Sequence, residues 1–229
     1  MTDQEHYDRL RLEGARVLLR PLRFRAMPQD AAERNALLEP MIRALWDSGE
    51  RGGRTLFEVA AELRAAADVI ESGQDIPVLD IPGPPEALRD IAEHVADWDV
   101  GRARRLRDVT PTSDELGFRF PQLTSMLRLY YGQDGVAVED DTLTARESLQ
   151  VFVDDWHPLC LYRLPHVAGE CQEALTLFQT EEALRQFFLV ERSGDSAGLP
   201  WLEWLPLIID VVGEHMRAHH PPQWVRKSG

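Results

Sequence analysis

The residues best suited to chemistry lie in one short stretch. Trp156-His157-Pro158-Leu159-Cys160 is followed by His166 and Cys171, so both cysteines of the chain and two of its seven histidines fall within fifteen residues. Two thiolates and two imidazoles make a complete tetrahedral donor set for zinc. His157, Cys160, His166 and Cys171 are therefore the candidate metal ligands, and zinc the candidate cofactor. Their spacing is irregular. Cys-x10-Cys lacks the tight knuckle that brings two thiolates together, and His157-x2-Cys160 is the only close pair. A plainer account treats both cysteines as small buried hydrophobes on or beside strands, with His157 and His166 hydrogen-bonded next to prolines.

A second histidine group, Glu214, His215, His219 and His220, lies near the C-terminus. His215 and His219 are four apart on an expected helix and share a face. The acid precedes the first histidine, so this is not a His-Glu-x-x-His metalloprotease pattern. A solvated helix end, with cations favoured there by the helix dipole, accounts for it better. The acidic runs Glu139-Asp140-Asp141 and Asp154-Asp155 lack calcium-loop spacing and read as solvated loop acids. No Gly-x-Ser-x-Gly, P-loop or Gly-x-Gly-x-x-Gly is present. A cysteine nucleophile paired with His157 or His166 has no spacing to favour it over a buried thiol. The sequence thus leans away from an enzyme and names no catalytic residue.

Charge narrows the function further. Across 229 residues, 39 acids against 25 bases give a formal net of −14, which opposes general nucleic-acid binding. Residues 1–110 hold 16 basic and 21 acidic groups (net −5), and residues 111–229 hold 9 and 18 (net −9). Six arginines, Arg9, Arg11, Arg16, Arg20, Arg23 and Arg25, crowd residues 9–25 and read as a solvated edge or helix face. Arg102, Arg104, Arg105 and Arg107 form a second basic patch, suited to docking on the acidic second half. An acidic N-terminus without a leader pattern and the lack of any long apolar span predict a cytoplasmic protein with no membrane segment.

The elements that must position these residues are mostly helical. Asp30 with Glu33, Thr55 with Glu58 and Thr144 with Glu147 have capping-box spacing, and each precedes an apolar stripe at helical period. Pro84-Pro85-Glu86 opens another helix, Pro121 one ending at Gly132, and Thr180 one through Phe188. The last helix, Leu199 to Met216, is apolar over most of its girth and so is largely buried in a core or a subunit contact. Ala15–Arg20, Val136–Val138, Leu159–Leu164 and Ala174–Phe178 read as short strands. The expected fold is α+β and mainly helical: a helical portion 1–110 packed on a mixed α+β portion 111–229 with a short sheet.

The segment Glu115-Leu116-Gly117-Phe118-Arg119-Phe120-Pro121, followed by Leu127, Tyr131, Gly132 and Gly135, resembles the signature near the start of SUKH-superfamily domains, which include many bacterial immunity proteins. The similarity covers about twenty residues. It implies an α+β domain that inhibits a toxin by binding and needs no catalytic residues. Opposite potentials would speed the encounter of such an acidic protein with a basic, nuclease-like toxin. Asp134, Glu139, Asp140 and Asp141 are then the expected partner contacts. The leading expectation is therefore a non-enzymatic acidic interaction module of immunity type. The alternatives are a zinc protein or metal-dependent enzyme built on His157, Cys160, His166 and Cys171, and a structural subunit that self-associates through Trp201, Trp204 and Ile208.

Overall fold

The computed structural model describes residues 3–23, 25–79, 83–132, 135 and 142–222. Among these the fold is all-helical, with no strand, which corrects the expectation of an α+β fold with a short sheet. The chain divides into two compact units, Met1–Phe118 and Arg119–Gly229. No helix among the described residues is long and apolar enough to cross a membrane.

The first unit comprises α1 (Asp3–Arg11), α2 (Glu13–Leu18), α3 (Ala31–Glu50), α4 (Leu56–Glu71), α5 (Pro85–Ala96) and the short α6 (Arg102–Arg105) and α7 (Ser113–Gly117). Residues 15–20, expected as a strand, lie in α2 and run into a 3-10 turn at Arg20–Leu22. The reason is visible in what is buried: Leu12, Ala15, Leu18, Leu19 and Leu22 recur at three and four, the period of a helix face. Helix α4 begins with the full Thr55/Glu58 capping box and packs closely on α5, where Leu88, Ile91 and Val95 meet Val59, Leu63 and Ala67. The N-terminus of α2 has no cap of its own. The Glu62 carboxylate of α4 supplies one, accepting from Ala15 N at 2.9 Å while Arg54 Nη1 donates to it at 2.7 Å. The second basic patch is engaged inside this unit: Arg102 pairs with Asp99 and lies over Trp46, and Arg105 lies over Trp98.

The second unit comprises α8 (Pro121–Tyr131), α9 (Ala145–Trp156), α10 (Cys160–Phe178), α11 (Glu181–Leu184), a π-helical stretch Arg185–Glu191, and α12 (Trp201–His219). The runs 159–164 and 174–178, expected as strands, belong to the single helix α10 and its N-cap. Its buried residues Cys160, Leu164, Val167, Cys171 and Ala174 form one helical stripe, and Pro165 sits on the exposed side, where a missing N–H is cheapest. Helices α8, α9 and α12 all pack on α10, and α9 also packs on α12. Trp201, Trp204 and Ile208, the expected self-association residues, fill this unit's own core. There Tyr131 meets Trp204 edge-on at 4.9 Å, and Phe188 stacks on Trp201 at 5.5 Å.

The SUKH-like segment is split between the units. Glu115 belongs to α7, buried and held by Arg43, whereas Pro121 opens α8. The expected strand 136–138 and the expected partner contacts Asp134, Glu139, Asp140 and Asp141 lie outside the described residues.

Candidate metal centre

Four side chains converge where the corner between α9 and α10 meets the C-terminal end of α12. His157 is the residue that ends α9, Cys160 is the first residue of α10, His215 lies in the last turns of α12, and His220 is the residue that ends it. One donor atom from each lies within 4.8 Å of all the others. Cys160 Sγ is 3.5 Å from His157 Nδ1, 3.3 Å from His215 Nε2 and 2.7 Å from His220 Nε2. A tetrahedral zinc site with ordinary bond lengths has sulfur–nitrogen edges of about 3.6 Å. Two of the three edges lie close to that value. The third, to His220 at the helix end, is shorter.

The local sequence explains each placement. Helix α9 stops at Trp156 because His157 turns extended (φ −71°, ψ 132°) before Pro158, as a residue preceding proline prefers. The cis His157–Pro158 peptide and Leu159 then lead straight into α10. Cys160, wholly buried, thereby stands at a helix N-terminus, where the macrodipole favours the negative charge of a metal-bound thiolate. His215 continues the stripe Trp204, Leu205, Ile208, Val211 and Val212, so it faces the core. Burial lowers its pKa, and the neighbouring His219, His220 and His157 lower it further against the weaker pull of Asp154; the ring is thus biased to the neutral form that binds metal. His220 reaches the same point only because the helix ends at His219.

Of the cluster expected from the sequence, the structure brings half together. His157 and Cys160 come together, but His166 and Cys171 do not join them. The continuous helix α10 carries His166 about 9 Å and Cys171 about 16 Å along its axis from Cys160. His166 is exposed on that helix. Cys171 is buried in the core, and burial, reinforced by the Glu170 charge, pushes its thiol well up and keeps it protonated. The missing pair is His215 and His220, from the group that sequence reasoning assigned to a solvated helix end. His219, the partner expected for His215, is exposed at the rim, its ring 4.7 Å from that of His215 and 6.1 Å from that of His157. Glu214 is exposed and pairs with Arg146.

Two signals could have found the set. His157-x2-Cys160 and His215-x4-His220 each have the close-pair spacing of zinc ligands, although the pairs are about 55 residues apart. Extending the apolar stripe of the last helix by one turn also lands on His215. The acids Asp154 and Asp155 have local roles, as acceptors of hydrogen bonds from Gln150 and the Tyr130 hydroxyl. Compared with protein-family models, with curated proteins and with solved structures, the chain matches none.

Proposed function

We propose that this protein is a metal-binding protein holding one zinc-class ion through His157, Cys160, His215 and His220, and that the centre is structural. The observation that carries this reading is the convergence of three imidazoles on one thiol, with all four donors within 4.8 Å of one another. Cys160 and His215 are buried, His220 is half-buried and His157 is exposed, and together a Cys/His3 set satisfies a tetrahedral ion completely. A catalytic zinc keeps one position open for water, and four protein donors leave none. The complete burial of Cys160 likewise suits a ligand better than a nucleophile that must reach a substrate.

The test is elemental analysis of protein purified without an affinity tag, before and after reconstitution with zinc sulfate. About one equivalent per chain is expected. Cys160→Ala and His215→Ala should each lose it, whereas His166→Ala and Cys171→Ala should retain it. Less than about a tenth of an equivalent in the reconstituted wild-type protein would sink the proposal.

A further inference from the structure

The arginine run at residues 9–25 is largely exposed, as its sequence suggests, yet it does not spread over an open face. Arg9 of α1, Arg16 of α2, Arg20 of the 3-10 turn, and Arg23 and Arg25 beyond it all line one cavity of about 700 Å³ in the first unit. That size is in the range of pockets for nucleotides and other drug-sized molecules. Among the described residues Asp114 is the only acid lining it, in a chain where acids outnumber bases 39 to 25. Several guanidinium groups elsewhere in the unit are paired: Arg34 with Asp90, Arg43 with Glu115, Arg54 with Glu62, and Arg89 with Asp68 and Glu71. Among the described residues, Arg9, Arg16, Arg20 and Arg25 pair with no acid; Arg16 donates through Nε to the Val78 carbonyl at 3.1 Å, which fixes its position on the wall.

Five like charges around one concavity repel, and a bound anion relieves that repulsion. Even with Arg23 left out of the count, four arginines against one acid among the described lining residues leave a positive local charge that suits a polyphosphate, and the planar fork of arginine matches phosphate oxygens two at a time. The cavity is not polar throughout. Met41, Leu79 and Phe118 contribute apolar wall, which inorganic phosphate would not use. We infer that this cavity is a binding site for an organic polyphosphate of nucleotide size, with its phosphates on the arginines and its less polar body against Met41, Leu79 and Phe118. The site lies wholly in the first unit and does not depend on the metal centre.

Isothermal titration calorimetry of the full chain with ATP and with inorganic pyrophosphate tests this. ATP should bind at least tenfold more tightly than pyrophosphate, its affinity should fall as salt is raised, and it should raise the melting temperature. The triple variant Arg9→Glu, Arg20→Glu, Arg25→Glu changes exposed side chains only, and its fold can be checked by circular dichroism. It should bind ATP at least a hundredfold more weakly than wild type. The inference is overturned if ATP does not bind at millimolar concentration and low salt, if pyrophosphate binds as tightly as ATP, or if the folded triple variant binds ATP unchanged.

Discussion

At the scale of single residues, the two cysteines show how position on a helix decides chemistry. Cys160 and Cys171 are both wholly buried and both on α10, yet only Cys160 has histidine rings within reach. Cys171→Ala should therefore cost about 1 kcal/mol in a denaturant melt, the price of a small cavity, with metal content unchanged. Cys160→Ala should lose the metal as well. Glu115 provides a separate case. Burial alone would raise its carboxyl, but Arg43 donates to both oxygens, at 2.6 and 3.0 Å, and Thr112 adds its backbone N–H; together these hold the pKa below the ordinary glutamate value. An acid whose folded pKa is depressed contributes stability above its unfolded pKa and loses that contribution as pH falls through the folded one. Glu115→Gln should thus destabilise the first unit by about 3 kcal/mol at neutral pH, with the gap to wild type closing below about pH 4 in urea melts.

At the scale of elements, glutamates from one helix cap another. Helix α8 starts at Pro121 after Phe120, which cannot cap, and Glu170 of α10 accepts from Gln122 N and Leu123 N at 3.2 and 2.8 Å. Helix α12 starts after Pro200, and Glu181 accepts from Trp201 N and Leu202 N at 2.8 and 3.0 Å. With Glu62 on α2, this device occurs three times among the described residues. Glu181→Ala should lower stability by about 1–2 kcal/mol, measured by chemical denaturation, while Glu182→Ala beside it should have almost no effect. Such caps are not legible in sequence, because donor and acceptor are 20 to 48 residues apart. The local boxes at Thr55 and Thr144 were legible because both halves lie within four residues, and both form as the spacing predicts. Helix α10 was misread for a related reason. Pro165 divides its apolar residues into two short runs, and only the full stripe from Cys160 to Ala174 shows the helical period.

At the scale of the whole molecule, the two units answer different questions. The net charge of −14 suggested a surface for a basic partner, but some of that acidity works inside the fold, in Glu62, Glu115, Glu170 and Glu181. The candidate centre belongs entirely to the second unit and the arginine-lined cavity entirely to the first. Chelation should therefore act on one unit only. Hydrogen exchange followed by mass spectrometry is expected to speed up around residues 157–160 and 211–220 after treatment with a chelator, with residues 3–118 unchanged; an equal rise in both units would contradict the assignment. The site itself was half legible for the same reason as the caps. Each ligand pair is local, and only the packing of α12 on α9 and α10 makes the two pairs one.

That long separation has a consequence for the unfolded chain. An ion held by His157 and Cys160 at one end and by His215 and His220 at the other closes a loop of roughly sixty residues, which holds most of the second unit. The cross-link would work as a disulfide does in a secreted domain, by removing conformational freedom from the denatured ensemble, but it would be reversible and set by the free metal concentration.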